Sequence, residues 1–560
     1  MKVTTELDIA SGSSQIFLRA WQTWRIDPQR PRMLHVVAVC PGNFSNQPDD
    51  AELKPLARQL DAQLWGLLPG FHRLTFENGH VLLTLCRGQV AKVLRQQQFE
   101  ADAIYLNSDT LGGADWLYLA KGIARLCKTG TQLTTSSSFK PLQAALKQCG
   151  FVAASGCDER QATYNPAWLT AKRPQPAKPA TCVVVGAGLA GAAVANSLAR
   201  RGWTVTVLDA ASKPASGASS LPAGLLVPHT SPDDSQLSRL SRSGVRMTLE
   251  QAGRLLQSGT DWHRSGVLER SVDGTPKKLP SAWAEEGPNA AADWSRPATP
   301  EQLQAAGLPP ASSALWHASA AWVKPEALVK AWLAAPGIEW GGNAPVVQLK
   351  PSADGWLLLG TTGQVLAEAH LVVLATAYAS QALAATVSTA PMALQPIRGQ
   401  ISWGLHIGNG GDGLKMPAFP VNGQGGLIPA IPGPNGPFWL MGSSYERDAS
   451  QAHIYQQDND DNFQRLRSLL PQAAAQLGDQ FKAPHCHAWA GIRCATPNRL
   501  PLLGRLVNTL PNAPVWLCTG MGSRGLTFAA LCAELLAAQL HGEPLPVDRQ
   551  LADALMGTRF

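Results

Sequence analysis

The sequence lacks any Cys-x-x-Cys pair, although it contains ten cysteines in 560 residues. Cysteines scattered in this way argue against a disulfide framework and a structural zinc site, so no metal is expected. They fit reduced thiols and therefore predict a cytoplasmic protein. No apolar run reaches the ~20 residues that a transmembrane helix needs. Met1–Ala20 shows no charged head followed by an apolar block, so we expect neither a membrane span nor a signal peptide.

Dense basic runs are also absent, and the formal net charge is +7. This charge is compatible with a polyanionic partner such as RNA, and also with a mildly basic enzyme that contacts no nucleic acid. On charge alone, the absence of a basic run favours the second interpretation. A length of 560 residues exceeds what one hydrophobic core usually supports, which predicts two or three domains.

A stretch rich in proline and positive charge separates two parts of the chain. Thr170–Ala180 cannot form a packed element, so 171–180 is predicted to link a domain at 1–170 to one at 181–560. Upstream of it, short apolar strands alternate with helical stretches, which predicts an α/β domain with a largely parallel sheet. The predicted elements are strands at Leu34–Val39, Ala103–Leu106 and Phe151–Ala154, and helices at Trp116–Leu126 and Pro141–Cys149.

The strongest local signal is the glycine-rich turn that follows the linker. Gly186, Gly188 and Gly191 form a Gly-x-Gly-x-x-Gly pattern between an apolar run and an alanine-rich helix. The first glycine permits a tight turn, the second leaves room for a pyrophosphate, and the third lets helix and strand pack closely. Asp209 ends the next predicted strand, where a carboxylate hydrogen-bonds a ribose hydroxyl. The pattern predicts a dinucleotide site, and by itself it fits FAD or NAD.

A second glycine-rich turn lies near the end of the chain. A predicted strand at 515–519 leads into it, an apolar helix follows at 526–540, and its candidate cofactor-binding residues are Gly520, Gly522, Ser523 and Gly525. Such a turn directs backbone N–H groups and the positive end of a helix at a bound group. Beside a flavin ring it would favour negative charge on the reduced ring, which favours FAD. An ordinary strand–turn–helix unit is the alternative. His370–Ala377 fits either a strand of the same sheet or a plain core strand.

These segments together resemble the amine-oxidising flavoproteins that include glycine, sarcosine and D-amino acid oxidases. Gly217–Leu226 is similar to the flavin-proximal loop of that family and adds Ser219 to the candidate cofactor-binding residues, while Pro396–Gln400 and Trp489–Arg493 are similar to two further blocks. The resemblance implies an α+β FAD-binding oxidoreductase of the glycine/D-amino acid oxidase type. We then expect FAD-binding segments at about 181–230, 320–390 and 485–560, and substrate-binding segments at about 231–319 and 391–484.

One bacterial family matches more closely. Gly491–Gly504, Gly522–Leu526 and Leu531–Glu534 closely resemble the bifunctional tRNA 5-methylaminomethyl-2-thiouridine biosynthesis proteins. The likeness covers nearly all of 181–550 and continues more faintly into 1–155. It implies FAD-dependent oxidation at a CH–NH group, which removes the carboxymethyl group from 5-carboxymethylaminomethyl(-2-thio)uridine at the wobble position of the tRNA anticodon loop. The product would be 5-aminomethyl(-2-thio)uridine.

The carboxylate of such a substrate calls for a fixed, forked cation, which arginine supplies better than lysine. Arg493 is the first candidate for this catalytic role because related amino acid oxidases place an arginine of this block against the carboxylate. Arg524 is the second. The alternative for Arg493 is a surface ion pair. No residue stands out as a general base.

The first domain departs from the methyltransferase pattern of that family where S-adenosylmethionine would bind. Asp8–Phe17 replaces a Gly-x-Gly-x-Gly-like turn with a single glycine, and Cys40 stands where the second strand should end in glutamate. The family block Leu-Asp-Gly-Phe-Ala-Pro corresponds to Leu106–Thr110, which has a different sequence. We therefore predict a degenerate Rossmann-like methyltransferase fold that binds S-adenosylmethionine poorly or not at all.

Other functions fit the same sequence. A methyltransferase with atypical contacts would make the chain fully bifunctional, with tRNA methylation as its second activity. An oxidase of free glycine or small amines, with an inert appended domain, would keep the same flavin fold. An RNA-binding protein that keeps flavin as a structural group is the alternative from a different functional class.

Overall fold

The computed structural model describes residues 3–153, 159–169, 175–284, 288–406, 416–507, 510 and 513–556. Ala154 of the last predicted strand of the first domain, and 171–174 of the predicted linker, lie outside these ranges. The chain forms two compact units. The first comprises 1–179, 200–202 and 534–553, and the second comprises 180–199, 203–533 and 554–560.

The first unit is built on a mostly parallel sheet. Its strands are β1 (Val3–Ile9), β2 (Met33–Cys40), β3 (Gly70–Phe76), β4 (Val81–Arg87), β5 (Ala101–Leu106), β6 (Cys127–Thr135), β7 (Phe151–Ala153) and β8 (Gln161–Tyr164). Its helices are α1 (Gln15–Ile26), α2 (Lys54–Asp61), α3 (Val90–Arg95), α4 (Trp116–Ala124) and α5 (Lys140–Gln148), with 3₁₀ turns at Ala51–Leu53, Glu77–Gly79 and Ser108–Thr110. The predicted strands and helices of this region are confirmed within one or two residues at their ends.

The strand order of this sheet is β3-β4-β2-β1-β5-β6-β8-β7, and β4, β2, β1, β5 and β6 run parallel. β2 is buried along its whole length because helices cover both faces, as parallel sheets require. α1 and α2 pack on one face, and α3, α4 and α5 pack on the other. The strand order reverses between β1 and β5, so a ligand of this fold would bind beyond the ends of these two strands.

The second unit contains more and shorter elements. Its strands are β9 (Thr181–Val185), β10 (Thr204–Leu208), β11 (Gly224–Leu226), β12 (Trp262–His263), β13 (Val267–Arg270), β14 (Arg296–Pro297), β15 (Ala314–His317), β16 (Ala321–Val323), β17 (Ile338–Gly341), β18 (Gln348–Pro351), β19 (Trp356–Leu359), β20 (Val365–Ala369), β21 (Leu371–Leu374), β22 (Gln395–Leu405), β23 (Val421–Gly423), β24 (Gly425–Ile431), β25 (Phe438–Gly442), β26 (Glu446–Arg447), β27 (His487–Ala495), β28 (Leu502–Arg505) and β29 (Val515–Thr519).

The remaining helices follow the same chain order. They are α6 (Leu189–Arg200), α7 (Gln236–Leu255), α8 (Pro288–Ala292), α9 (Pro300–Ala305), α10 (Pro325–Leu333), α11 (Ser380–Ala384), α12 (Gln456–Leu469), α13 (Pro471–Leu477), α14 (Gly525–His541) and α15 (Arg549–Asp553), with 3₁₀ turns at Ala218–Ser220, Ser281–Ala284 and Ala377–Ala379. Glu534 and the residues after it in α14, and all of α15, belong to the first unit.

A mainly parallel sheet holds the predicted dinucleotide turn. Its order is β17-β10-β9-β21-β29-β28, and only β28, at its edge, runs antiparallel to its neighbour. The segment 370–377 therefore supplies a strand of this sheet, as one of its two interpretations predicts. The strand order reverses at β9 and β21, so the turn after β9 lies at the switch point where such sheets bind their ligands.

A second, largely antiparallel sheet carries the predicted substrate segments. Its order is β14-β15-β13-β23-β24-β25-β22-β26, and β27 also pairs with β22. The long strand β22 pairs with β25, β26 and β27. The pairing of β22 with β27 brings together segments that are about 100 residues apart in the sequence, with Arg493 on β27 directly opposite Ile397 on β22.

Candidate active site

The glycines at the turn between β9 and α6 leave little or no room for side chains. A methyl group on Gly191 would lie 1.8 Å from the carbonyl oxygen of Gly186. One on Gly186 would lie 2.6 Å from the carbonyl oxygen of Ala375, and Gly186 has a φ of +106°. One on Gly188 would lie 3.1 Å from Ser219 Oγ. Bare backbone at the start of a helix is what a pyrophosphate group requires.

Two polar side chains hold this turn in place. Asp209 Oδ2 accepts a hydrogen bond from Ala187 N at 2.7 Å, and its Oδ1 accepts one from Ala211 N at 2.8 Å. The carboxylate is thereby fixed at the end of β10. Ser219 Oγ accepts a hydrogen bond from Leu189 N at 3.0 Å, so the loop after β10 satisfies a backbone donor in the first turn of α6.

The second glycine-rich turn joins β29 to α14. Gly520 and Gly522 have φ values of +70° and +54°, in the left-handed region that favours glycine. Gly522 N donates a hydrogen bond to the carbonyl oxygen of Cys494 at 2.7 Å, which ties the turn to the end of β27. A methyl group on Gly525 would lie 3.2 Å from Leu189 Cδ1, so the first turns of α14 and α6 are neighbours.

A cavity of about 1120 Å³ joins the two turns. It exceeds the usual range for a drug-sized ligand, about 300–1,000 Å³, and bare turns at two helix N-termini border it, so the residues fit FAD. Gly191 and Arg524 are not among the residues that line the cavity. The predicted site residues that line it are Gly186, Gly188, Asp209, Ser219, Arg493, Gly520, Gly522, Ser523 and Gly525.

Arg493 reaches this cavity from β27. Its Nη2 donates a hydrogen bond to Ser443 Oγ at 2.5 Å, and its guanidinium carbon lies 5.9 Å from the centre of the Tyr445 ring. Gly399 on the neighbouring strand makes space for the guanidinium group, because a methyl group there would lie 2.0 Å from Arg493 Nη2. The side chain is therefore confined on one side by backbone and directed by a neutral hydroxyl.

No carboxylate of the described residues forms an ion pair with Arg493. Burial lowers the pKa of Arg493, and nearby Tyr445 opposes this shift. A half-buried cation without a charged partner lacks compensation for its lost hydration. An anionic ligand in the cavity would provide that compensation, preferably a carboxylate that matches the two forward N–H groups.

Arg524 occupies a different position, inside the glycine-rich turn but outside the cavity lining. Its backbone N donates to the carbonyl oxygen of Met521 at 3.0 Å. Burial lowers the pKa of Arg524, the positive charge of Arg499 lowers it further, and Glu269 opposes both. Of the two predicted arginines, the structure brings only Arg493 to the wall of the cavity.

Ser443 and Tyr445 are site residues that the sequence patterns did not single out. Both line the cavity and contact Arg493. They follow β25 and are close to Arg493 only because β22 lies between β25 and β27. No local pattern marks such a contact, since it depends on strand pairing across about 50 residues of sequence.

Neither a metal site nor a membrane-spanning helix is found in the described ranges. Those residues contain no group of three or more His, Cys, Asp or Glu side chains arranged to hold a metal ion. Their helices include none that is both long and apolar enough to cross a membrane.

Family models match both halves of the chain. The model for FAD dependent oxidoreductases matches residues 181–539, and the model for S-adenosyl-L-methionine-dependent methyltransferases matches 51–158. Glycine oxidase from Geobacillus kaustophilus superposes with a TM-score of 0.55 at 20% identity, over 68% of this chain and 98% of that chain. Glycine oxidase from Bacillus cereus gives 0.53 at 18% identity, over 67% and 98%. The predicted fold classes of both domains are confirmed.

Related proteins share the sequence over almost its full length. The tRNA 5-methylaminomethyl-2-thiouridine biosynthesis bifunctional protein MnmC of Polaromonas naphthalenivorans is 51% identical, over 98% of this chain and 89% of the relative. The protein of the same name from Polaromonas sp. strain JS666 is 52% identical, over 98% and 90%. FAD as cofactor and the oxidoreductase class are thereby confirmed. The chain belongs to the family of tRNA 5-methylaminomethyl-2-thiouridine biosynthesis bifunctional proteins, and its residues 181–539 belong to the FAD-dependent oxidoreductases.

Proposed function

We propose that this protein removes the carboxymethyl group from 5-carboxymethylaminomethyl(-2-thio)uridine at the wobble position of tRNA and leaves 5-aminomethyl(-2-thio)uridine. The observation that carries the proposal is Arg493, a cavity-lining guanidinium with a neutral hydrogen-bond partner. The substrate arm ends in a carboxylate that matches this cation. The names of the relatives support tRNA as the partner, and we propose that the enzyme meets the anticodon loop in the cytoplasm.

The chemistry follows from the substrate arm. FAD, when bound, supplies the two-electron oxidant that takes a hydride from the methylene carbon between the secondary amine and the carboxylate. Loss of the amine proton to solvent leaves a substrate imine. Water then cleaves its C=N bond, so that glyoxylate departs and the primary amine remains on the base. Arg493 would hold the carboxylate throughout and so fix which methylene group faces the oxidant.

The walls of the cavity support this assignment. Ile401, Ile428 and Leu440 line the cavity as apolar side chains, and Trp489 lines it with its indole N–H donated to Ser220 Oγ at 2.9 Å. Water is a poor competitor for the arginine in such surroundings, so the attraction between guanidinium and carboxylate is stronger than at an exposed surface.

We assign this oxidation to 181–560, with the FAD-binding and substrate-binding segments predicted above, and propose that 1–170 binds S-adenosylmethionine weakly or not at all. The contacts beyond β1 support this loss. Ser14 N donates to the carbonyl oxygen of Ser45 at 2.9 Å, and Ser45 N donates to that of Gly12 at 2.8 Å. On the other side of the same loop, Thr110 Oγ1 donates to the carbonyl oxygen of Ala10 at 3.0 Å. Backbone groups of this loop thus pair with the chain itself, while Asp8 Oδ1 and Ser14 Oγ are buried without a hydrogen-bond partner in the described residues.

Side-chain chemistry at the same place also supports the loss. Cys40 ends β2, and burial raises its pKa to about 12, so a neutral thiol stands where a carboxylate would hold the ribose. Asp8 near the end of β1 is buried, and its Oδ2 accepts a hydrogen bond from Ser11, while its Oδ1 has no partner in the described residues.

Two observations favour alternative functions for this protein. The methyltransferase model matches 51–158, which favours a fully bifunctional enzyme, although this match begins beyond the loops that follow β1 and β2. The superposed glycine oxidases share the fold of the flavin half, which favours an oxidase of free glycine or small amines.

One experiment separates these functions. Purified full-length protein is incubated with tRNA bearing the carboxymethylaminomethyl group, with and without S-adenosylmethionine, and with free glycine in place of tRNA. We expect nucleoside mass spectrometry to show the aminomethyl product in both tRNA reactions and glyoxylate as coproduct. A methylated product that requires S-adenosylmethionine would establish the bifunctional enzyme. Turnover of glycine without any turnover of tRNA would refute the proposed substrate.

A further inference from the structure

Hydrogen bonds fix the residues on both sides of Tyr445, which lies at the cavity. Ser444 N donates to the carbonyl oxygen of Gln400 at 3.0 Å, and Gln400 N donates to Ser444 Oγ at 2.9 Å. On the other side of the tyrosine, Glu446 accepts a hydrogen bond from the buried Arg398 at 3.2 Å. The residues before and after Tyr445 are therefore fixed, and its Cα–Cβ direction is fixed with them.

The Tyr445 ring itself is more than half exposed. It is 55% exposed although it lines the cavity. Within the described residues its hydroxyl has no hydrogen-bond partner, and its ring contacts the Arg493 guanidinium, whose carbon lies 5.9 Å from the ring centre. A large apolar ring held in this way contributes little to the core, which leaves its flat face available to a ligand.

The spacing between this ring and the cation fits the substrate arm. Four bonds of ~1.5 Å join the carboxylate carbon of the arm to the uracil ring, and because they zigzag, their end-to-end distance is about 5 Å. That length is similar to the 5.9 Å between the guanidinium carbon and the tyrosine ring centre. A carboxylate held by Arg493 thus places the pyrimidine within reach of Tyr445. Proteins that seize an unstacked RNA base commonly stack it on an aromatic side chain.

We propose that Tyr445 is the stacking platform for the uracil ring of the substrate, while Arg493 holds the carboxylate of its side arm. This assignment rests on the proposed function and extends it, because it explains how the cavity selects an amine carried by a base over a small free amine. Arg493 would recognise both kinds of substrate, whereas Tyr445 would contribute to binding only when a ring is present.

The test uses the FAD-loaded full chain and three variants. Tyr445→Leu removes the ring, Tyr445→Phe keeps the ring and removes the hydroxyl, and Tyr378→Leu removes a 40% exposed tyrosine that lies outside the cavity lining. Three quantities are measured: KM and kcat on tRNA bearing the modified base, and the Kd of 5-(3-carboxypropyl)uridine, which keeps the ring, the carboxylate and the four-bond arm but has CH2 in place of the oxidisable amine.

We expect Tyr445→Leu to raise both KM and Kd about tenfold, the scale of one stacked base, with kcat within twofold of wild type because stacking acts on bound substrate and transition state alike. Tyr445→Phe and Tyr378→Leu should stay within twofold in every measurement. Unchanged KM and Kd in Tyr445→Leu would overturn the proposal, as would a wild type that does not bind the nucleoside or an equal loss in Tyr445→Phe. If the wild type binds the nucleoside in a Tyr445-dependent way but leaves the tRNA unoxidised, the proposed function fails and the stacking assignment stands.

Discussion

A single arginine decides the chemistry proposed for this cavity. Arg493 approaches it through a space that exists because residue 399 is glycine, and its hydrogen bond goes to the neutral hydroxyl of Ser443. A guanidinium group in this setting gains most from a planar anion that accepts two parallel hydrogen bonds. The shape of the donor therefore matters in addition to its charge.

Arg493→Lys tests this requirement. The variant keeps a positive charge but loses the forked donor, so we expect kcat/KM on the modified tRNA to fall about 10–100-fold, which corresponds to ~1.5–3 kcal/mol for hydrogen bonds to a charged group. FAD content, measured by visible absorbance, should be unchanged. Arg467→Lys, at an exposed position on α12, is the matched control and should keep full activity. Equal activity of both variants would exclude Arg493 from carboxylate binding.

Asp8 permits a prediction about pH. Burial raises its pKa from 3.8 to about 7, and a hydrogen bond from Ser11 opposes this shift. The folded first unit therefore retains a proton that the unfolded chain loses above about pH 4. Stability from this group is greatest at low pH and falls as pH rises towards 7, by at most ~1.4 kcal/mol per pH unit.

Asp8→Asn removes this pH dependence, because the amide stays neutral. We expect its melting temperature to exceed that of wild type at pH 8, and the difference to shrink or reverse at pH 5. The exposed Asp49→Asn is the control and should shift the melting temperature little at either pH. A difference for Asp8→Asn that is larger at pH 5 than at pH 8 would contradict the assignment.

At the scale of elements, sequence patterns predict the units whose structure depends on neighbouring residues. The strand–turn–helix at Gly186 and the one at Gly520 are predicted from adjacent residues, because glycine spacing and apolar runs are local features. Ser219 was predicted as a cofactor-binding residue only through family resemblance, and its hydrogen bond with Leu189 N in the first turn of α6 was not predicted. Ser443 and Tyr445 were not predicted, since β22 places them beside Arg493 and a strand's partners are set by long-range packing.

Gly191→Ala tests the close packing of β9 and α6. The added methyl group would lie 1.8 Å from the carbonyl oxygen of Gly186, so the backbone of the cradle must move. We expect loss of bound FAD and a destabilisation of at least ~1–3 kcal/mol, as for other overpacked sites.

The matched control for that variant is Gly253→Ala on α7. Its methyl group would meet Trp262 at an ordinary 3.5 Å, and alanine in a helix gains up to ~1 kcal/mol over glycine. The free energy of unfolding of Gly253→Ala, measured with denaturant, should therefore rise or stay unchanged. Its FAD absorbance should not fall, in contrast to that of Gly191→Ala. An intact, FAD-loaded Gly191→Ala protein would show that the turn is not the cradle described above.

At the scale of the whole molecule, the first unit is discontinuous in sequence. It includes Arg201, Glu534 and Glu543 besides the N-terminal residues. Arg201 Nε donates to Glu543 Oε1 at 2.9 Å and its Nη2 to Glu534 Oε2 at 3.1 Å, while His35 Nε2 lies 3.4 Å from Glu543 Oε2. Sequence patterns did not predict this cluster, because the ion pairs join residues more than 300 positions apart and no local periodicity records them.

Glu543→Gln tests whether this cluster stabilises the first unit. Burial raises the pKa of Glu543, but the attraction of Arg201 and His35 outweighs burial and holds that pKa well below its usual value, so the side chain is a carboxylate inside the protein. Removing its charge leaves the buried Arg201 with less compensation, and breaking a buried pair in this way costs about 3–5 kcal/mol.

Glu326→Gln is the matched control, because Glu326 and Lys330 form an exposed pair on α10 that should contribute less than ~1 kcal/mol. Denaturant unfolding of the two variants followed by circular dichroism should therefore separate them clearly.

The same reasoning predicts that a fragment ending at Pro179 unfolds more easily than the full chain, since it lacks every carboxylate of the cluster. S-adenosylmethionine binding must then be measured on the full-length protein, because failure of the fragment to bind would report lost folding rather than a lost site.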